Sequence, residues 1–384
     1  MSGAFNYFKP GGDRGITRDN ESVSTDEDFY ATDDFTDVAC EYISDATKAD
    51  DNPFFLYLAY NAPHWPLNAK WEDYLKYKGK YLDGWEALMK TRFAKQKAIG
   101  LFEDDIEPAP HVGPKWDSLS EEKRTDMDAI MAAYAGCIDS IDQNIGKLTK
   151  HLREIGQFDN TVIFFLSDNG ACQEGGVLGN GDEEMIRNPP LETTGGVRQG
   201  LAWANASNTP FRLYKHFLHE GGACTPMIAS WPAGIPKSSN GSFVRHVAYL
   251  PDFMATCMDL SGASPPAGKP TCQGVPLTPL LHGNDTAIHT EPIYWEHEGN
   301  AAMRSGSWKL VREYEKPWEL YDLANDRTEL QDLADSESDQ RDKMVAMWEA
   351  WATKNEVAFP ERFNMYQFLN ERKKARKKQS TTKN

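Results

Sequence analysis

Apolar residues recur at helical spacing over residues 34–46, at Phe35, Val38, Ala39, Tyr42 and Ile43, and predict a helix with one face laid on a sheet. A longer stripe through Met127, Ile130, Met131, Tyr134, Ile138, Ile141, Ile145, Leu148 and Leu152 predicts a second helix over residues 127–152. Asp159-Asn160 then turns the chain into Thr161-Val162-Ile163-Phe164-Phe165-Leu166, an unbroken β-favouring run that reads as a strand buried on both faces. Phe54-Phe55-Leu56-Tyr57-Leu58 reads the same way. Helix, turn, buried strand and helix in alternation is the rhythm of an α/β protein with a doubly wound sheet.

The pattern changes after residue 260. Residues 261–283 are rich in proline and glycine and read as a connection. Beyond them short strand signals centre on Ile293, Met303, Lys309 and Leu320, and a helical stripe runs through Met344, Met347, Trp348 and Trp351. The chain therefore divides into a larger domain over residues 1–260, a smaller α+β domain over 261–370, and a basic tail over 371–384 that reads as disordered and solubilising. Polar excursions between Trp65 and Trp116 and between Gly170 and Asn208 leave the ends of the expected strands and read as long loops walling a substrate site. Within the second, Gly175-Gly176-Val177-Leu178-Gly179-Asn180-Gly181 lacks the lysine and helix that follow a phosphate cradle, and reads as plain loop.

Three short runs carry candidate chemistry. Asn61-Ala62-Pro63-His64-Trp65-Pro66 hangs a histidine on a stiff turn after a strand, where open α/β sheets place reacting groups; a packed loop histidine has the same signature. The strand at Thr161 ends in Ser167-Asp168-Asn169-Gly170, which offers hard oxygen ligands on a backbone able to turn, or is simply a turn. Lys215 lies in Pro210-Phe211-Arg212-Leu213-Tyr214-Lys215-His216-Phe217-Leu218-His219-Glu220-Gly221-Gly222, ahead of Thr225-Pro226-Met227-Ile228. A lysine in so mixed a stretch is ordinarily solvated, because ammonium groups resist burial unless paired.

Taken in this order, the three runs resemble the arylsulfatases, formylglycine-dependent sulfatases of the alkaline phosphatase superfamily. The resemblance extends to Gly3-Ala4-Phe5-Asn6-Tyr7-Phe8 and Thr17-Arg18-Asp19-Asn20 near the start. Towards the end it takes in Tyr294-Trp295-Glu296-His297-Glu298-Gly299-Asn300, Trp308-Lys309-Leu310-Val311 and Glu319-Leu320-Tyr321-Asp322-Leu323. It implies a doubly wound mixed sheet with a smaller C-terminal domain, and hydrolysis of sulfate monoesters assisted by Ca²⁺. On it, Asp168 and Asn169 match the late pair of calcium ligands, and His64 and Lys215 match the catalytic pair at the bridging oxygen. His219 is read as packing or hydrogen-bonding behind Lys215 rather than as catalytic. The implied substrate is a sulfated small molecule or polysaccharide.

The departures from that pattern are equally specific. The family's Cys-x-Pro-x-Arg signature, whose cysteine becomes formylglycine, its Asp-Asp pair after an N-terminal strand and its Gly-Lys-Trp-His segment are not in the sequence. Cys224-Thr225-Pro226-Met227-Ile228 comes nearest but has isoleucine where arginine is required. Asp33-Asp34, Asp50-Asp51 and Asp104-Asp105 read as cap and loop residues. The expectation is a sulfatase chain lacking its N-terminal strands and its nucleophile, and inactive by itself. A phosphate or phosphonate ester hydrolase of the same superfamily and a non-catalytic remnant are the alternatives.

Composition bears on partners. A formal charge of −17 over 384 residues argues against a nucleic-acid binder and makes a metal and local basic groups necessary for any anionic substrate. No apolar run is long enough to span a bilayer, and Met1-Ser2-Gly3-Ala4-Phe5-Asn6 has none of the regions of a secretion signal. A periplasmic or secreted location is expected if a preceding segment carries one. The six cysteines show neither close pairing nor zinc-finger spacing.

Overall fold

Two helices phased as the sequence predicts frame the larger part of the molecule, in a computed structural model that describes residues 5–9, 15–49, 52–187, 196–265 and 267–358. The basic tail over 371–384, Asp50-Asp51 and Gly3-Ala4 lie outside the described residues. A hairpin of β1 (Ile16–Arg18) and β2 (Glu21–Val23) turns through Asp19 and Asn20, both at positive φ, as a tight two-residue turn requires. Helix α1 (Ala31–Ala49) carries Asp33 and Asp34 in its first turn, and the Asp34 carboxylate accepts from the Tyr30 amide at 2.9 Å. The short α2 (Trp71–Leu75) and the longer α3 (Gly84–Ala98) precede α4 (Glu121–Glu154), whose N-cap Ser120 accepts from the Lys123 amide. The apolar stripe of α4 faces the main core with Trp85, Trp203 and Tyr7, although Ile138 stands out towards solvent.

Strand β3 (Ile163–Leu166) follows, then α5 (Glu183–Arg187), α6 (Gly200–Ser207), α7 (Glu220–Ala223) and β4 (Met227–Ser230). β3 and β4 pair antiparallel, Ile163 opposite Ser230 and Leu166 opposite Met227. Helix α8 (Pro251–Ser261) starts on a proline and stops at left-handed Gly262, and α9 (Thr278–Leu281) leads into the C-terminal sheet. There β5 (Ile293–His297), β6 (Asn300–Ser305), β7 (Trp308–Arg312) and β8 (Glu319–Asp322) form an antiparallel meander, and α10 (Ser338–Lys354) lays Met344 and Trp348 on it. The mixed α/β class and the smaller C-terminal α+β unit expected from the sequence are what the structure has.

Three local expectations are corrected. β3 is not buried on both faces: Phe165 is 43% exposed and its partner Ile228 62%. Residues 54–60 run extended but join no ladder among the described residues, with Phe55 78% and Tyr57 81% exposed while Phe54, Leu56 and Leu58 are half-buried. Such alternation marks a strand with one face packed and the other uncovered. The excursion after Trp65 is not simple loop either, since α2 and α3 fold it into a helical wall around fully buried Trp85 and Tyr74.

Candidate active site

The His64 turn is fastened from beneath. Tyr7, fully buried, points its hydroxyl at the carbonyls of Asn61, at 3.0 Å, and of His64, while its own amide donates to Asn68 Oδ1 at 3.1 Å. The His64 amide closes the turn on the Asn61 carbonyl at 2.9 Å. Above the turn the Arg198 guanidinium lies 3.9 Å from the centre of the Trp65 ring, a cation–π contact that closes one side.

Close backbone approach joins the end of β3 to the lysine segment. A Cβ on Gly170 would stand 1.9 Å from the Gly221 carbonyl, and one on Gly221 would stand 2.2 Å from that of Arg212, so both positions require glycine. The Gly170 amide donates to the Gly222 carbonyl at 3.0 Å and the Lys215 amide to that of Ala171 at 3.1 Å. Asn208 ties the same two segments, accepting from the Ala171 amide and donating to the Leu213 carbonyl, both at 3.0 Å. Lys215 is therefore set beside the Asp168-Asn169 turn by backbone bonds on either side of it.

These supports bring His64 and Lys215 together, with Nε2 and Nζ 3.2 Å apart. His64 Nδ1 lies 2.8 Å from the Trp65 carbonyl, which can only accept. Nδ1 therefore carries the proton of the neutral ring, and the Nε2 lone pair accepts from the Lys215 ammonium. Burial lowers the His64 pKa below its ordinary 6.5 and the Lys215 charge lowers it further; the Trp65 carbonyl, Glu174 and Asp168 oppose them. Asp168 thus acts on the imidazole through space. Its carboxylate is exposed, and among the described residues no protein donor satisfies it. Asn169 spends its Nδ2 on the Gly170 carbonyl at 3.0 Å, which leaves Oδ1 as its outward acceptor.

His219 does not stand behind Lys215. It is buried, and its Nε2 meets Glu319 Oε2 of β8 at 3.2 Å. Arg212 reaches the same carboxylate at 2.8 Å and the Tyr321 hydroxyl at 2.7 Å. Burial alone would raise Glu319, yet the bonds from His219 and Tyr321 and the charges of His219 and Arg212 hold it at about 2. A second joint lies alongside. Lys309 of β7 places its ammonium 2.6 Å from Glu220 and 2.8 Å from Glu329, the latter an ion pair at an angle outside hydrogen-bond geometry, and Arg327 pairs with the other Glu220 oxygen. Tyr7, Asn208, Arg212 and Lys309 escaped the sequence reading. The only local signal was an asparagine or cation in an apolar setting, because each partner lies far along the chain.

The site thus sets an ammonium against a neutral imidazole, beside a carboxylate that follows a strand. Residues 4–263 match the sulfatase family model and residues 211–354 the N-sulphoglucosamine sulphohydrolase C-terminal model. The chain belongs to the sulfatase family, within the alkaline phosphatase superfamily. It is 32% identical over 348 residues to an uncharacterised sulfatase of Schizosaccharomyces pombe, covering 84% of this chain and 61% of that protein. Against an arylsulfatase of Klebsiella aerogenes it is 32% identical over 281 residues, 71% of this chain and 59% of the relative. The chain therefore spans about three fifths of the length of these curated relatives. The crystal structure of Ps i-CgsB superposes with a TM-score of 0.64 at 25% identity, covering 98% of this chain and 70% of that one, and that protein has also been crystallised with k-i-k-neocarrahexaose.

Proposed function

We propose that this chain supplies the leaving-group side and part of the metal side of an active site that hydrolyses sulfate monoesters of small molecules or sugars. The observation that carries the reading is the Lys215–His64 pair, 3.2 Å apart beside Asp168. As the S–O bond breaks, charge builds on the bridging oxygen, and a proton already positioned there lowers the barrier. In the resting tautomer that proton belongs to Lys215. His64, neutral and fixed through Nδ1, orients the ammonium, which becomes a neutral amine as its proton passes to the bridging oxygen.

The donors at the end of β3 fit Ca²⁺: an exposed carboxylate on Asp168 and the outward Oδ1 of Asn169 are hard oxygen ligands, and the amide is prevented from flipping by its bond to Gly170. Bound there, calcium would neutralise charge on the sulfate. These two side chains are part of the six to eight oxygens such an ion usually takes. No cysteine of residues 1–384 lies in a Cys-x-Pro-x-Arg signature, so this polypeptide by itself is proposed to bind without turning over.

The test compares residues 1–384 with the same chain extended at its N-terminus by a sulfatase segment that contains a Cys-x-Pro-x-Arg signature, produced together with a formylglycine-generating enzyme. An aryl sulfate should be hydrolysed by the extended chain alone, and Lys215→Ala should lower its kcat by roughly 10²-fold or more on a poor leaving group. Saturable turnover by residues 1–384, or hydrolysis of an aryl phosphate in preference to the sulfate, overturns the proposal.

A further inference from the structure

Immediately after Lys215 the chain enters a left-handed turn at His216, φ 90°, which aims its imidazole at the tip of the β5–β6 hairpin. His216 Nδ1 stands 3.0 Å from Glu298 Oε2, and the ring of His297 lies with its centroid 5.7 Å from that of His216, at 75° to it. One ligand atom from each of His216, His297 and Glu298 lies within 4.8 Å of the others. We propose that these three residues bind a divalent transition-metal ion of the zinc or cobalt type, which clamps the Lys215 segment to the C-terminal sheet. This site shares no residue with the Asp168-Asn169 turn.

The donor set selects the ion. Two imidazoles and one carboxylate suit borderline cations, whereas calcium and magnesium take oxygen. In a tetrahedral site with bonds of about 2.0–2.1 Å the ligand atoms are roughly 3.3 Å apart. The His216–Glu298 edge, at 3.0 Å, is already near that length. His297 is exposed, so its side chain can close the remaining distance, and the fourth position opens to solvent.

The surroundings prepare the first two ligands. Glu298 Oε2 is buried and makes no bond of hydrogen-bond geometry, although His216 is near enough for a charge contact. Asn300 Nδ2 donates to the His216 carbonyl at 3.1 Å and lies 3.4 Å from its Nε2, while Asn300 Oδ1 accepts from the Tyr314 amide at 2.9 Å. The Tyr314 bond fixes the NH2 end of the amide towards the ring, so without metal Nε2 is the accepting nitrogen and Nδ1 carries the proton facing Glu298, a proton that a bound ion would displace. Glu298 occupies the first position of a two-residue hairpin turn at φ 52°, a place that asparagine, aspartate or glycine fills far more readily. A glutamate held there at a backbone cost points to work for its side chain.

The experiment uses the full chain stripped of metal by a chelator and dialysis, then titrated with Zn²⁺ by calorimetry and with Co²⁺ by visible absorption. One equivalent of each should bind, Co²⁺ giving the intense d–d bands of a four-coordinate site without thiolate charge transfer. Saturating Ca²⁺ should leave the Zn²⁺ isotherm unchanged. His297→Ala and Glu298→Gln, both on a hairpin tip and checked for an unchanged melting transition, should weaken Zn²⁺ about 100-fold or more. Asp168→Ala should leave the affinity alone. Equal affinity in the His297 and Glu298 variants, thiolate bands in the cobalt spectrum, competition by calcium, or no stoichiometric binding overturns the proposal.

Discussion

Replacing Lys309 by methionine takes an ammonium out from between Glu220 and Glu329, 2.6 and 2.8 Å away, where it is almost wholly buried. Methionine keeps much of the volume, so the loss is mainly one of charge. Glu220 retains Arg327, and Glu329 retains the Glu220 amide at 2.7 Å. Breaking a buried pair from one side costs about 3–5 kcal/mol. The pH dependence has a definite sign. In the parent protein burial would raise Glu220, but Lys309 and Arg327 hold it well below its ordinary 4.5. Its stabilisation is therefore present above the unfolded pKa and lost as pH falls through the folded one. In the variant Glu220 loses the first of the two charges that hold it down, so its folded pKa rises towards the unfolded value and less stability is lost on acidification. The deficit seen near pH 8 should therefore shrink as pH falls into the carboxylate range, by up to about 1.4 kcal/mol for each unit by which the Glu220 pKa rises. Urea unfolding of both proteins, followed by tryptophan fluorescence from near pH 8 down to near pH 4, reads this directly. A deficit under about 1 kcal/mol near pH 8, or one that does not change with pH, refutes the reasoning.

Further expectations follow from the same geometry. Gly170→Ala drives a methyl group into the Gly221 carbonyl and should cost about 3 kcal/mol or more, or leave the protein insoluble; an unchanged melting temperature would show that the junction is looser than described. The His64 imidazole should titrate below 6.5 by NMR, and Lys215→Met should move its midpoint upwards by removing a lowering charge; a midpoint unmoved by the substitution would separate the two residues. Because protonation of His64 is disfavoured by folding, its contribution destabilises the folded state as pH falls from the unfolded pKa towards the folded one. Tyr57→Glu with Ile228→Glu should reduce concentration-dependent association measured by light scattering, since both side chains are largely exposed apolar surface; equal association in parent and variant would mean that other surfaces drive it.

What could be read from the sequence was local. The stripe through Met127 and Ile130 placed α4, and alternation around Met303 and Lys309 placed the C-terminal strands, because each pattern completes itself within one element. His64 and Lys215 were singled out by their motifs, and the structure brings them to 3.2 Å. Pairings across the chain were invisible. Lys309 looked like an ordinary strand lysine, because Glu220 lies 89 positions away, and His219 looked like a partner for Lys215 because its carboxylate is 100 positions away. The uncovered faces at Tyr57 and Phe165 were misread for a related reason: an apolar run states that a residue prefers burial, not that something is there to bury it.

The meander of β5, β6, β7 and β8 has a consequence for how the chain is made. Each of its strands pairs with its neighbour in sequence, so its loops are short and quickly closed. β3 must wait for β4 across the whole lysine segment, and the Arg212–Glu319 contact spans 107 positions. A ribosome emitting this polypeptide therefore exposes Arg212 and Glu220 long before Glu319 and Lys309 exist to receive them. The C-terminal sheet forms late in synthesis but fast, and its arrival completes the anchoring of the segment that carries Lys215. A nascent chain stalled before β8 would hold Lys215 on a segment lacking its C-terminal anchors, open to proteases and to chaperones that bind unpaired segments.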